Sequence, residues 1–347
     1  VLILNDFIRG YKAMLRVAML SRWHVHATGY ANELRSLPDV VITAVWDEDL
    51  SRGKQWAEEL GVDFVPDLNT LLAREDVDAV CVNAPTNMHP EVMIAAARAG
   101  KHIFTEKVMA ITTKEAESIA KAVKEAGVKF CISFPHRTVP ANLFAKKVAD
   151  EKLLGDITLM RVRNAHDGAS SNWLPQHFYD PVQCGGGAMI DLGAHPMYLC
   201  RWILGKPSRI TSMFNSFTGK PVEDNAVCVM EFESGAIAVA ETSFVSRSSP
   251  FSLELYGTKG SLFIGGPENR VKIISDDLNA RISGWVSPSR LPEPLPSPIQ
   301  QWVNGILRGS EIHFGVEDGV QLTELMEAAY ISYREKRMVE FSEIEHL

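Results

Sequence analysis

The sequence predicts an α/β protein in which a doubly wound parallel sheet is followed by a second α/β domain built on an antiparallel sheet. Three observations carry this. Between Leu15 and Ser133 short strands that are apolar throughout alternate with amphipathic helices, and such strands belong to parallel sheets covered on both faces by crossover helices. Beyond Phe134, strands follow one another through short turns, the pattern of an antiparallel sheet. The chain's 347 residues also exceed the roughly 250–300 at which a single core stops growing. Domains are accordingly expected over 14–134 and 135–347. Residues 1–13 precede the natural first strand and are set aside as a probable extension.

The elements fall in order. RVAML, VVITAVW, DFV, AVCVN, HIFTE and KFCIS read as strands, separated by helices through ATGYANEL, SRGKQWAEEL, LNTLLA, HPEVMIAAARAG and TKEAESIAKAVKEAG. Ligands of such a sheet gather at the carboxyl ends of its strands, so Ser21, Asp47, Asn83 to Asn87, Glu106 and Lys107 should share one rim. In the second half a helix through ANLFAKKVADEKLL precedes the strand ITLMRVRN, a polar loop, and a helix through GAMIDLGAHPMYLCRWIL. The strands RITSMFNS, NAVCVMEFES, AIAVAETSFVS and FSLELYG come next, with Ser234-Gly235 and Gly257 to Gly260 as turns. Alternation in FSLELY implies one buried and one wet face, and the wet face can serve as a dimer surface. Two amphipathic helices close the chain.

Composition narrows the function. A net charge of −8 without any Lys/Arg run excludes an electrostatic footprint for nucleic acid. Apolar runs stay short of the roughly 18 residues that span a bilayer, so no membrane segment or export signal is expected. The five cysteines are scattered and form no CxxC pattern, which fits a reducing cytoplasm.

The turn after the first strand of a dinucleotide-binding sheet ordinarily carries GxGxxG, so that backbone can approach a pyrophosphate at a helix N-terminus. Here it reads Ser21-Arg22-Trp23-His24-Val25-His26, with no glycine. Its backbone amides remain available, Arg22 or His24 can add positive charge, and Trp23 crowds a close approach. Asp47 lies 26 residues beyond Ser21, near the offset of a carboxylate that binds the adenosine ribose and repels a 2′-phosphate, which favours NAD over NADP. The alternative is that Asp47 caps the helix near Ser51. Pro85, Thr86, Asn87 and His89 form a polar turn after the fourth strand, where Thr86 or Asn87 can also cap a helix.

Lys107, at the end of the fifth strand, suits hydrogen bonding to a substrate hydroxyl, although an EK pair can equally be a surface pair. Asp191 and His195 are spaced i and i+4, which puts them on one face of a continuous helix. An imidazole, with an ordinary pKa of roughly 6.5, suits removal of a hydroxyl proton during hydride transfer; a self-satisfied buried pair is the alternative. His24 and His26, two apart, fall on different sides of a helix start, and no HExxH or Cys/His cluster occurs, so no metal site is expected.

RVAML, AVWDED, VNAPTNMH, TEKVMA, CGGGAMIDLGAHPMYLCRWILG, YGTKGSL and the terminal EDGVQLTELMEAAYISYREKR occur in the order found in the glucose-fructose oxidoreductase / inositol dehydrogenase / MocA (Gfo/Idh/MocA) family, which the chain resembles from Leu15 onward. The resemblance implies a Rossmann domain followed by a domain with an open, mostly antiparallel sheet, assembled as a homodimer or homotetramer. It implies that Lys107, Asp191 and His195 are catalytic, that Asp191 positions substrate, and that Glu106, Pro85, Asn87 and His89 contact NAD. His136, Arg163 and Trp173 lie where substrate or nicotinamide contacts are usual. The chain departs from the family pattern in its glycine-free turn and in Val108, which replaces the proline of EKP. The function expected is hydride transfer between NAD and a sugar, polyol or sugar derivative. Alternatives are glycoside cleavage with transient use of NAD, and a non-catalytic sensor of dinucleotide or sugar.

Overall fold

A computed structural model of the chain describes residues 14–277 and 284–344. The proposed extension, 1–13, lies outside the described residues. Two compact units are present. The first holds residues up to Glu106, 117–133 and 296–318; the second holds 107–116, 134–295 and the chain from Gly319. A single boundary near residue 134 does not describe this division, because the chain re-enters the first unit at Pro296 and because Lys107 begins a segment of the second.

The first unit runs β1 (Leu15–Leu20), α1 (Ala27–Ser36), β2 (Val40–Trp46), α2 (Leu50–Leu60), β3 (Asp63–Phe64), α3 (Leu68–Leu72), β4 (Ala79–Val82), α4 (His89–Arg98) and β5 (His102–Thr105). Helix α5 (Thr113–Ala126) and β6 (Phe130–Ile132) follow. The six strands form one sheet in the order β3-β2-β1-β4-β5-β6, all parallel. The order reverses between β1 and β4, and that switch point is where ligands of doubly wound sheets bind. Strands β1 and β4 are buried almost throughout, as their apolar sequences require; Arg16, the one polar residue of β1, is half-buried and pairs with Asp78.

The second unit contains α6 (Pro140–Asp150), β7 (Ile157–Ala165), α7 (Pro181–Cys184), α8 (Ala194–Leu204), β8 (Pro207–Asn215), β9 (Asn225–Phe232), β10 (Ile237–Ser243), β11 (Ser252–Gly257), β12 (Gly260–Gly265) and β13 (Arg270–Ser275). After α9 (Pro298–Arg308), which belongs to the first unit, come α10 (Val316–Glu335), β14 (Val339–Glu340) and α11 (Phe341–Ile344). Its eight-stranded sheet has the order β13-β12-β11-β7-β10-β9-β8-β14. The sheet is mixed, not purely antiparallel: β7 inserts between β10 and β11 and pairs with β10 in parallel. Short turns govern only sequential neighbours, whereas β7 is cut off from β8 by a long loop and a helix, which frees its direction. Helix α8 packs on β7 and β10. Val162 and Met160 are buried while Arg161 and Arg163 alternate with them, so the two arginines belong to the opposite sheet face.

Candidate active site

The parallel pairing brings the carboxyl ends of β1, β2, β4 and β5 to one edge of the first sheet. Ser21 ends β1 in the left-handed region, with φ of 70°, a conformation that costs an L-residue roughly 1–2 kcal/mol and that glycine adopts without strain. Serine therefore performs the chain reversal that the first glycine of GxGxxG would otherwise make. Its Oγ accepts the Trp23 backbone N–H at 3.0 Å, which offsets part of that strain. Across the switch point the His24 N–H donates to the Asn83 carbonyl at 3.1 Å. Asn83 is wholly buried and its Oδ1 has no hydrogen-bond partner. An orphaned acceptor at this point of the sheet suits a polar ligand such as a dinucleotide.

Several residues read as cofactor contacts prove to be occupied elsewhere. The Asp47 side chain is fully buried. It accepts the backbone N–H groups of Arg22 at 2.8 Å and Asp49 at 2.9 Å, and both Nε and Nη2 of Arg52 at 3.0 and 2.6 Å. A carboxylate with four donors has no lone pair left for a ribose diol. Helix α2 is capped by Asp49 instead, which accepts from Ser51 and Arg52. The neighbouring Glu48 is less fully engaged. Its Oε1 pairs with Arg52 at 2.5 Å, its Oε2 has no partner, and burial raises its pKa despite a hydrogen bond from Ser21.

Arg22 pairs with Glu59 at 2.7 Å over the face of Trp56, and the Trp23 side chain is buried. His89 is buried with Nε2 3.0 Å from the Ala84 carbonyl, so it braces the Pro85–Asn87 turn. Within that turn Pro85 and Thr86 are buried and Asn87 is exposed. Helix α1 begins only at Ala27, so His24 and His26 lie in the turn before it. Their rings are 4.7 Å apart, with both Nδ1 atoms near the buried Glu106 carboxylate. The expectation that the two histidines diverge fails because it assumed helical geometry that this turn does not have.

In the second unit Lys107 Nζ donates to Asp191 Oδ1 at 2.5 Å and to the Asp191 carbonyl at 2.9 Å. The Lys107 side chain is buried, whereas that of Asp191 is one-fifth exposed. This is an oriented pair, not a surface EK pair. The Lys107–Val108 peptide bond is cis. His195 Nδ1 lies 2.9 Å from Tyr198 Oη, which also accepts the His136 backbone N–H at 3.2 Å. The rings of His136 and His195 are 4.7 Å apart. Burial and the Lys107 ammonium push the His136 imidazole down to about 4, so it is neutral at physiological pH.

Asp191 and His195 do not share a regular helix. The segment before Ala194 is a series of turns in which Gly193 N–H reaches back to Ala188 O and His195 N–H to Leu192 O. Glycines at 185–187 and 193 resist the regular helix that the i, i+4 spacing implied. Glu223 holds this segment: its carboxylate accepts the N–H groups of Gly187 and Met189 and the Tyr330 hydroxyl at 2.6 Å. Gly187 O in turn accepts the Asp191 N–H at 3.1 Å. Nothing in the local pattern around Glu223 or Tyr198 announces either role, because each acts on a partner fixed by the fold.

Arg163 is not presented to this cluster. Its guanidinium binds Ser246, Ser249 and Glu241 on the other face of β7. The adjacent Asn164 faces inward, with Nδ2 3.5 Å from Leu192 O. Trp173 is exposed and packs on His166 at 4.6 Å, its indole N–H directed at Asp167. His166 is held below its usual pKa chiefly by burial, and both Asp191 and Lys107 act on it electrostatically.

Residues 24–134 match the family model described as oxidoreductase family, NAD-binding Rossmann fold, and 143–263 match the GFO/IDH/MocA C-terminal domain. The scyllo-inositol 2-dehydrogenase (NAD(+)) of Bacillus subtilis (strain 168) is 30% identical over 264 residues, covering 73% of each chain. The myo-inositol 2-dehydrogenase of Thermotoga maritima is 26% identical over 332 residues, covering 91% of this chain and 96% of its own. Among solved structures, GenD2 from gentamicin A biosynthesis in complex with NAD superposes with a TM-score of 0.79 at 27% identity, over 94% of this chain and 96% of that one.

Proposed function

This chain belongs to the Gfo/Idh/MocA family of NAD-binding oxidoreductases, and on that premise we propose that it oxidises a secondary hydroxyl of a sugar or polyol. The observation that carries the reading is the buried Lys107–Asp191 pair in one unit with His136 and His195. Lys107 is also the covalent neighbour of Glu106 at the edge of the dinucleotide-binding sheet. The relatives' names, inositol 2-dehydrogenases, support the substrate class.

NAD would supply the hydride acceptor, held at the β1–β4 switch point. Asn83 and the backbone of the Ser21–His26 turn would hold it, with Glu48 available to the adenosine ribose. Lys107, kept in place by Asp191, donates a hydrogen bond to the reacting hydroxyl oxygen. Asp191 uses its exposed edge to accept a hydrogen bond from a neighbouring hydroxyl. The hydrogen bond shared by His195 Nδ1 and Tyr198 Oη orients the imidazole, and the tautomer with its proton on Nδ1 would leave Nε2 as the base. As the carbinol C–H electron pair departs with the hydride, Nε2 takes the hydroxyl proton and a carbonyl remains. Asp191, Lys107 and His195 together suit vicinal hydroxyls, the pattern of a sugar or cyclitol.

The protein is further proposed to be a cytoplasmic homodimer or homotetramer. All five cysteines are free thiols, which suits a reducing compartment. No described helix is long and apolar enough to cross a membrane.

Incubation of purified protein with NAD and a panel of inositols, aldoses and anhydrosugars, read by NADH absorbance, is expected to show turnover on at least one polyol. NAD bound without turnover on any of them defeats the dehydrogenase reading in favour of a sensor. A glycoside cleaved with no accumulation of NADH assigns the transient-oxidation mechanism instead. Glu48→Gln is expected to weaken NAD binding by roughly tenfold or more, the loss of charge-assisted hydrogen bonds worth about 1.5–3 kcal/mol. Calorimetry that finds Glu48→Gln equal to the parent protein removes Glu48 from the ribose site.

A further inference from the structure

We propose that His24, His26 and Glu106 form a binding site for a divalent transition-metal ion of the zinc class, in the turn that replaces the glycine-rich loop. Each of the three offers one donor atom, and these atoms all lie within 4.8 Å of one another. His24 Nδ1 is 3.7 Å and His26 Nδ1 2.6 Å from the same oxygen, Glu106 Oε1. Zinc-to-ligand bonds of about 2.0–2.2 Å in a tetrahedral site put ligand atoms roughly 3.3–3.5 Å apart. The His24–Glu106 separation is already close to this and the His26–Glu106 contact has to open by less than about 1 Å, while His24 Nδ1, which accepts the His26 backbone N–H at 3.2 Å, exchanges that bond for the ion.

The surroundings resemble those of a metal centre in three respects. First, the donor set of two imidazoles and a carboxylate is one that zinc uses in open sites, where a fourth position remains for water or another ligand. Second, the carboxylate is oriented from behind: the Tyr30 hydroxyl donates to Glu106 and lies 2.8 Å from Ser133 Oγ, as ligating carboxylates are ordinarily held. Third, the site is graded in exposure. The side chains of His24 and Glu106 are 6% and 3% exposed, whereas that of His26 is 52% exposed, which gives an ion a way in and a ligand that can swing to meet it. The local fold fixes the backbone that carries His24. His24 is anchored by its backbone N–H to Asn83 O, and Ala27 N–H returns to His24 O at 3.0 Å. The site stands on side chains of the first unit and does not depend on the redox reading.

Metal-stripped full-length protein, free of any histidine tag, is titrated with Co2+ as a spectroscopic probe, with Zn2+ added afterwards as competitor. One Co2+ per chain, with visible ligand-field absorption of four-coordinate intensity that Zn2+ abolishes, is the result expected. His26→Ala removes a half-exposed ring without opening the core and is expected to weaken Co2+ binding at least tenfold, a typical loss for disturbing a metal site. Glu106→Gln, which retains the Tyr30 contact, is expected to do the same. Absence of ligand-field absorption overturns the proposal, and so does absorption that His26→Ala and Glu106→Gln both leave unchanged.

Discussion

His195→Ala is expected to lower turnover by about 10²- to 10⁴-fold, the contribution of a positioned general base, while NAD affinity stays close to that of the parent protein. The asymmetry follows from where the residue sits. His195 belongs to the second unit, opens α8, and is tied to Tyr198 Oη and the His136 ring, whereas the residues proposed to hold NAD are in the first. Its loss therefore removes a group that takes the hydroxyl proton and leaves the dinucleotide's partners intact. Steady-state kinetics paired with NAD titration by calorimetry decide the matter. Equal losses in turnover and in NAD affinity would assign His195 a structural role.

How much of this was legible in the sequence differs between levels. The strands of the first sheet were readable because parallel strands buried on both faces are predominantly apolar: β4 and β6 are wholly so, and Arg16 in β1, Thr43 in β2 and His102 and Thr105 in β5 are the polar interruptions. Lys107, Asp191 and His195 were readable as types at suitable positions, but their arrangement was not: the supposed continuous helix breaks into turns at 187–193, and the Lys107–Asp191 pair joins segments 84 residues apart. Asp47 misled because its offset from Ser21 is that of a ribose ligand, while burial hands its oxygens to Arg52 and two backbone amides. The residue one place on, Glu48, keeps an unpartnered oxygen, a distinction that no spacing rule encodes. Arg163 misled in the same way. A one-residue difference in a strand moves a side chain to the other face, so Asn164 takes the inward position. His24 and His26 were misjudged because a helix was assumed to begin before it does.

Glu223→Ala is expected to destabilise the protein by roughly 3–5 kcal/mol, lowering Tm by on the order of 10 °C. The carboxylate is the shared acceptor for Gly187 N–H, Met189 N–H and the Tyr330 hydroxyl, and each buried donor left without a partner costs about 1–3 kcal/mol. Water cannot readily replace it, since a Cβ placed on Gly187 would lie only 2.1 Å from Glu223 O and the two backbones are in direct contact. Gly187 also carries the carbonyl that receives the Asp191 N–H. Loosening it should displace the carboxylate that orients Lys107, so turnover of any Glu223→Ala protein that still folds should fall too. Glu223→Gln separates acceptor from charge. Burial holds the Glu223 pKa above the usual carboxylate range even though Tyr330 and the Met189 and Gly187 amides pull it down. Glutamine sheds that buried charge and keeps Oε1, the oxygen that all three donors reach, so its Tm is expected to stay near that of the parent protein. Thermal unfolding of the two variants side by side tests this. Similar losses in both would mean that the negative charge, and not the acceptor geometry, holds the glycine segment in place.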